Sequence, residues 1–377
     1  MNAWPTVALG DVIDHRKEFI IIDDLETYRR PRVQLHAQGI VLRDTVPGAQ
    51  IKTKKQQVAR AGEFLVAEID AKVGGFGIVP DDLDGSIVSS HYFLYGHKPD
   101  RLDNKYLGWF AKTRAFRQQV EAQGSTNYAA IRPGDVLRYE IPLPPLDEQR
   151  RIASRLATLA EKAQQVDKQL DVVERDAELL LALYFRDITS NAPLLSIYDV
   201  APVVRRPVEI HVDVRYCEIG ARSFGKGLFA KPDFDGATAT WEKPVWVKPG
   251  DLVLSNIKAW EGAIAVASDA HDGCIASHRY ITCVPDPMKA TAGFLAYYLL
   301  SGDGLEKVIA ASPGTADRNR TLSLGNLGKI EVPVPPLAAQ QSFDRLHVEI
   351  TALKARHTAI RAANSALLPA TLERVFS

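Results

Sequence analysis

The feature that most constrains this chain is that it repeats itself. Glu140-Ile-Pro-Leu-Pro-Pro-Leu146 returns 191 residues later as Glu331-Val-Pro-Val-Pro-Pro-Leu337, with five of seven residues identical and the other two exchanging one aliphatic side chain for another. At the same offset Gln149 falls on Gln340, Leu181 on Leu372 and Phe185 on Phe376. Upstream the register drifts slightly. Asp11-Val12 falls on Asp199-Val200, and Gly62, Ile69, Ala71 and Gly74 fall on Gly250, Ile257, Ala259 and Gly262, all at 188. Ser90-His91 falls on Ser277-His278 at 187, and Gly124 on Gly314 at 190. Ordered matches at a nearly constant offset are what a tandem duplication leaves, with loop insertions accounting for the drift. At 377 residues the chain is also long enough for two cores.

Each unit opens with a mixed α/β region. Glu63-Phe-Leu-Val-Ala-Glu-Ile69 and Asp251-Leu-Val-Leu-Ser-Asn-Ile257 are short apolar runs introduced by glycine, and read as buried strands. A helix is expected from Asn104 to Glu121, where Leu107, Phe110, Ala111 and Arg114 recur at helical spacing, and another from Thr291 to Ser301. The Pro-x-Pro-Pro-Leu joint ends the last strand, because proline withdraws backbone donors and forces its predecessor into extended geometry. Asp147 and Glu148 then stand where the exposed amides of a helix N-terminus favour negative charge.

Beyond the joint the period changes. Ile152, Leu156, Leu159, Ala163, Val166, Leu170, Val173, Ala177, Leu180 and Tyr184 alternate four and three apart, a coiled-coil seam sustained over more than four heptads. Such a helix of roughly 35 residues spans on the order of 50 Å. The second copy carries Phe343, Leu346, Ile350, Leu353, His357, Ile360, Asn364, Leu367 and Thr371. Polar residues at seam positions fix register, so His357 is expected to be a seam residue rather than a metal ligand. Two seams of similar length predict an intramolecular antiparallel pair.

Composition narrows the class. Lys+Arg and Asp+Glu both number 46, whereas a protein that grips DNA alone by neutralising phosphates is usually basic. A reader that shares its grip with partner subunits escapes that objection. Three scattered cysteines, Cys217, Cys274 and Cys283, fit buried thiols in a reducing cytoplasm better than a disulfide framework or zinc site. Neither a secretory leader nor a membrane span is expected. Walker, Gly-x-Gly-x-x-Gly, His-Glu-x-x-His, Gly-x-Ser-x-Gly and Asn/Asp-Pro-Pro-Tyr/Phe patterns are all missing. Glu68-Ile-Asp-Ala-Lys72 looks superficially like part of a nuclease site, but its repeat partner, Asn256-Ile-Lys-Ala-Trp260, has no acid. No catalytic centre is expected.

The order of domain, Pro-x-Pro-Pro-Leu joint and long helix, given twice, resembles the specificity subunit of Type I restriction–modification enzymes. The first joint, Ile141-Pro-Leu-Pro-Pro-Leu-Asp-Glu-Gln-Arg-Arg-Ile152, is close to the family's signature; the second, Val332-Pro-Val-Pro-Pro-Leu-Ala-Ala-Gln340, departs from it at Ala338 and Ala339. The resemblance implies α/β (α+β) target recognition domains in two tandem copies in a pseudo-two-fold arrangement, separated by two long antiparallel coiled-coil helices. The domains are then 1–144 and 188–335, with spacer helices in 145–187 and 336–377. It further implies a non-catalytic subunit that reads a bipartite double-stranded DNA target. It also implies partners: two copies of a DNA adenine methyltransferase subunit that uses S-adenosylmethionine, and an ATP- and Mg-dependent restriction/translocase subunit. This chain itself would hold no cofactor or metal and would act in the cytoplasm. The alternatives are a recognition subunit of a related restriction or phage-defence complex, and a coiled-coil scaffold that binds protein.

Candidate DNA contacts follow from base chemistry, since Arg and Lys suit guanine and phosphate, Asn and Gln suit adenine, and Ser and Thr are permissive. In the first domain these are Arg29, Arg30, Arg32, Lys52, Lys54 and Lys55; in the second, Arg205, Arg206, Arg222, Lys226 and Lys258. The loops after Gly124 and Gly314 add Ser125, Thr126, Asn127 and Tyr128, and Arg318, Asn319 and Arg320; the resemblance places these loops near DNA. His91, His278, Gly74 and Gly262 read as structural.

Overall fold

In each repeat the first strand is closed by the strand of its own joint. Thr6–Ala8 runs antiparallel to Glu140–Pro142 with Val7 opposite Ile141, and Leu194–Ser196 runs antiparallel to Glu331–Pro333 with Leu195 opposite Val332. Both ladders have only two strands, which is where a proline that cannot donate is tolerated. The computed structural model describes residues 4–121, 131–238, 243–314 and 320–376. They fall into two units, Met1–Leu170 with His357–Ser377, and Asp171–Arg356.

The glycine-led apolar runs form the central strands. Phe64–Ala67 lies between Tyr92–His97 and Phe76–Ile78 in a four-stranded sheet completed by Ile13–Arg16. Leu252–Ser255 lies between Ile264–Val266 and Tyr280–Cys283 in a three-stranded one. Every residue of both central strands is buried, so alternation is replaced by continuous apolar character. Ala67 stands opposite Tyr92 and Ser255 opposite Tyr280. The structural offset here is 188, so His91 corresponds to Arg279, and the match of His91 with His278 at 187 is corrected.

The expected helix from Asn104 to Glu121 is two helices, Asn104–Phe110 and Arg114–Glu121. Thr113 divides them: its hydroxyl donates to the Phe110 carbonyl at 2.7 Å and accepts from the Phe116 amide at 3.2 Å, a side-chain bond that starts a new helix. In the second repeat Ser301 follows Ala292–Leu300 and bonds the Tyr298 carbonyl at 2.6 Å, and Gly302–Ala310 begins directly after it.

Two long helices, Leu146–Thr189 and Leu337–Phe376, follow the joints. Within the first unit Leu156 packs in one core with Leu372, and Arg361 donates to the Asp167 carbonyl at 3.3 Å. Within the second, Glu178 pairs with Lys354, and Phe185 meets Phe343 at 5.4 Å between ring centroids. Partner numbers fall as numbers rise along the first helix, so the pairing is antiparallel in both units. The fold is therefore two tandem α/β domains with long antiparallel helices. The end of each helix docks into the other repeat's α/β region: Phe376 sits 5.2 Å from Tyr106, and Phe185 sits 5.4 Å from Phe294.

The seam departs from a strict heptad. Val173, Leu180, Ile360 and Leu367 are exposed at 46%, 55%, 44% and 45%, whereas Leu181 and Leu372 are buried. An α-helix has 3.6 residues per turn, so a buried stripe slips past a 3.5-residue pattern over several turns. His357 is buried at a seam position, as expected.

The cysteine expectation is corrected. Cys217 and Cys274, 57 residues apart, form a disulfide with their Cα atoms 4.6 Å apart, and only Cys283 is a free, buried thiol. Sequence separation concealed the pair: Ile275 donates to the Cys217 carbonyl at 2.8 Å, so a β-bridge brings the two residues side by side. No helix of the described residues is long and apolar enough to cross a membrane.

Candidate nucleic-acid interface

The same four segments converge in each unit. In the first, the chain turns sharply after the central strand at Ala71–Val73, and Gly74 takes a left-handed conformation at φ +80°. A side chain there would stand 2.7 Å from the Ala37 amide, because the tip of the hairpin Thr27–Gln34/Gly39–Pro47 lies against this turn. His36 donates to the Val73 carbonyl at 2.7 Å and Ala37 to the Gly74 carbonyl at 2.9 Å. Glu68 donates to the His91 carbonyl at 2.9 Å and accepts from the Ile131 amide at 3.4 Å. Hairpin tip, tight turn, strand-entry turn and the chain at 131 thus meet.

In the second unit Gly262 is left-handed at φ +78°. The tip of the hairpin Ile219–Ala221/Leu228–Ala230 repeats the pairing, with Phe224 donating to the Glu261 carbonyl and Gly225 to the Gly262 carbonyl, both at 2.8 Å. Asn256 donates to the Arg279 carbonyl and accepts from the Leu322 amide, both at 2.7 Å. Positions 36, 37, 73 and 74 map onto 224, 225, 261 and 262 at offset 188. The backbone scaffold is duplicated.

The side chains on it are not. The first unit displays His36, Ile69, Val73 and His91, with the His91 Nδ1 atom 2.7 Å from Glu68 Oε2. The second displays cations and aromatic rings. Arg222 lies 4.7 Å from the Phe229 ring and Lys226 5.7 Å from the Phe224 ring; Lys258 and Arg320 lie 5.1 and 5.4 Å from the Trp260 ring. Such placement holds long cationic side chains against rings. Glu261 is engaged by Lys258 at 2.6 Å and the Ser223 hydroxyl at 2.8 Å. Those two hydrogen bonds, Lys258 foremost, hold its carboxyl below the usual range.

Of the candidates named from sequence, Arg222, Lys226, Lys258 and Arg320 are therefore brought together. The first domain's candidates are not gathered at the corresponding face. Arg29 donates to the backbone carbonyls of Asp82 and Asp84, and Arg30 is held by Asp44 through two bonds of 2.7 and 2.9 Å. Arg32 and Lys52 are exposed on the strand and in the turn, respectively. Lys54 pairs with Asp24 and bonds the Gly48 carbonyl at 2.9 Å, while Lys55 lies 4.7 Å from the Phe19 ring. In the second domain Arg205 is exposed, whereas Arg206 is bound at 2.7 and 3.1 Å by the buried carboxylate of Asp251. Ser125, Thr126, Asn127, Tyr128, Arg318 and Asn319 lie outside the described residues. Sequence reasoning missed His36, Phe224, Trp260 and Arg279. The signal that could have found two of them is the alternation of basic, aromatic and glycine residues in Arg222-Ser-Phe-Gly-Lys-Gly227 and Lys258-Ala-Trp260.

Among the described residues no group of three or more His, Cys, Asp or Glu could hold a metal ion. What the two faces offer is hydrogen-bonding, cationic and flat apolar groups on rigid turns, which suits recognition of a polyanion with readable edges.

A DNA-reading domain is the class this arrangement defines, and comparison with known proteins agrees. Residues 1–175 match the family model for the Type I restriction modification DNA specificity domain. Over its whole length the chain shares its fold with the HsdS subunit from Thermoanaerobacter tengcongensis, at 20% identity and TM-score 0.67, covering 100% of this chain and 97% of that one. A second solved chain comes from a study titled as the structural basis of complex assembly and conformational transition of the type I R-M system. It matches at 21% identity and TM-score 0.67, with 100% and 98% covered. A comparison with curated proteins found no match. Residues 1–175 thus carry the likeness to the Type I restriction modification DNA specificity domain, and over its whole length the chain shares the fold of these solved subunits.

Proposed function

We propose that the chain recognises a split DNA target, one half read by each α/β domain, and directs partner subunits to it. The observation that carries this reading is one backbone scaffold present twice with different side chains. A homodimer presents two identical readers and favours palindromes; a duplicated chain presents two different ones, so its target need not be symmetric.

In this reading the subunit is non-catalytic and cytoplasmic. Two adenine methyltransferase subunits supply S-adenosylmethionine chemistry, and an ATP- and Mg-dependent translocase–nuclease subunit completes the restriction complex. Zero formal net charge is compatible with this division of labour, because phosphate contacts from partners can add to the cations around Trp260. The long helices set the unread gap. Ser125–Tyr128, Arg318 and Asn319 remain candidates for DNA contact, along with the exposed Arg32, Lys52 and Arg205.

The test is to co-express the chain with the methyltransferase subunit encoded beside it and map methylated adenines across the host genome. Two specified blocks separated by an unspecified gap are expected. A continuous motif contradicts the split target; absence of any motif with an active methyltransferase favours a protein-binding scaffold.

A further inference from the structure

The two hairpin tips share an unusual backbone. His36 and Phe224 are left-handed at φ 58° and 62°, as is Ala37 at 55°; among the described residues no other non-glycine has positive φ. That region costs a side-chain-bearing residue energy and persists where surrounding structure enforces it, commonly at functional sites. Here it is enforced identically, by the hydrogen bonds to Val73 and Gly74 in one unit and to Glu261 and Gly262 in the other. Gly39 and Gly227, three residues on from each tip, are also left-handed, at φ 107° and 83°.

Both side chains point away from any core. His36 is exposed, and Phe224 is 75% exposed, which is unusual for a phenyl ring. Nothing about folding requires either. A glycine at either position would relieve the backbone without emptying a packed site. Lys226 lies 5.7 Å from the Phe224 ring, and exposed Arg222 stands two residues before it in the chain. Glu261, whose carbonyl accepts from the Phe224 amide, has its carboxylate held by Lys258 and Ser223.

Resting on the reading proposed above, we infer that positions 36 and 224 are the equivalent base-contacting positions of the two domains. The duplicated backbone fixes where each side chain is presented, and the identity of the side chain decides what is read. Phe224 offers no hydrogen bond and a flat apolar face, which matches the thymine methyl group in the major groove. His36 offers ring nitrogens that pair with purine edges. Lys226 and Arg222 carry phosphate contacts on the same hairpin as Phe224, which position the ring but do not select sequence.

The test uses the full chain with its methyltransferase partner and compares methylation motifs of wild type, Phe224→Ala, Phe224→Gly, His36→Ala and Lys226→Ala. Phe224→Ala should relax one T·A position, by roughly tenfold in preference, in one block only, and His36→Ala should relax one position in the other block. Phe224→Gly accepts the left-handed backbone and should behave as Phe224→Ala does, which separates lost base contact from a distorted turn. Lys226→Ala should lower methylation evenly without altering the motif. Unchanged motifs in both Phe224 variants, relaxation of both blocks by one variant, or complete loss of methylation in Phe224→Gly overturns the inference. A wild-type motif that is not split defeats the underlying reading instead, and the wild-type arm alone reveals that.

Discussion

Gln149 and Gln340 make the same three hydrogen bonds, each in its own unit. The Gln149 amide donates to the carbonyls of Arg101 and Pro144 at 2.9 Å and accepts from the Asp103 amide at 2.9 Å. The Gln340 amide donates to Lys289 and Pro335 at 2.9 and 2.8 Å and accepts from the Thr291 amide at 3.0 Å. Both are fully buried. Each clamps the start of a long helix to its joint and to the residue that caps the following short helix.

Replacing either glutamine by leucine removes the partner of three backbone groups, one of them in a buried bond and two in part-buried ones. Gln149→Leu and Gln340→Leu should each cost about 2–4 kcal/mol, read as a lower urea midpoint. A loss below about 0.5 kcal/mol would show that the clamp is not what fixes these helix starts.

Two arginines named as DNA candidates or lying near them divide by partner. Arg206 is fixed to Asp251, which is 2% exposed, and Arg16 makes the equivalent bond to Glu63, with Nη2 to Oε2 at 2.8 Å. Removing Arg206 strands a buried carboxylate, so Arg206→Ala should destabilise by about 3 kcal/mol. Arg222 is itself exposed and lies over the half-buried ring of Phe229, so Arg222→Ala should change stability by less than about 0.5 kcal/mol yet weaken DNA binding by the loaded complex. Equal stability losses in both variants would contradict the division.

The Cys217–Cys274 bond closes a loop across 57 residues. Chain entropy assigns such a cross-link about 4 kcal/mol, so reduction or Cys217→Ser should lower the unfolding midpoint. Burial pushes the Cys283 thiol up to about 12, so alkylation of the folded protein at neutral pH should leave it unlabelled. Peptide mapping without reductant should recover residues 217 and 274 linked.

His347 packs between aromatic rings, 5.3 Å from Tyr297 and 6.1 Å from Phe343. Burial is the main cause that depresses its pKa below 6.5, with Lys354 adding to it and Asp344 opposing. A histidine whose folded pKa lies below its unfolded value contributes stability above pH 6.5, and this is lost as pH falls through the folded value. The unfolding midpoint should therefore drop on acidification below 6.5, and less so in His347→Phe. Burial raises the Asp344 carboxyl, which acts oppositely, favouring the folded state at low pH. With Asp344 kept in both proteins, the difference reports the loss of His347 together with its coupling to that carboxyl. Parallel midpoint curves would contradict the assignment.

The duplication was legible because its most constrained elements are short and local. Pro144-Pro145 with Gln149, and Gly74 with its counterpart Gly262, are needed wherever a strand hands over to a helix or a turn meets a hairpin. The hairpin tips were not legible. Leu35-His-Ala-Gln-Gly39 and Ser223-Phe-Gly-Lys-Gly227 share only the final glycine, since their equivalence lies in backbone hydrogen bonds that any side chain permits. Ion pairs such as Arg30–Asp44 and Arg206–Asp251 were equally hidden, because a basic residue bound to a distant acid looks in sequence like one facing solvent. The seam was legible as a helix but misplaced by one residue at Val173 and Leu180, where helical drift moves the buried stripe to Leu181.

The central claim is that two dissimilar readers each specify one part of the target. Exchanging residues 1–140 for those of a relative with a different motif, and mapping methylated adenines with the same methyltransferase partner, tests it most directly. One block of the motif should change while the other stays as in wild type. A change in both blocks, or in neither, contradicts it.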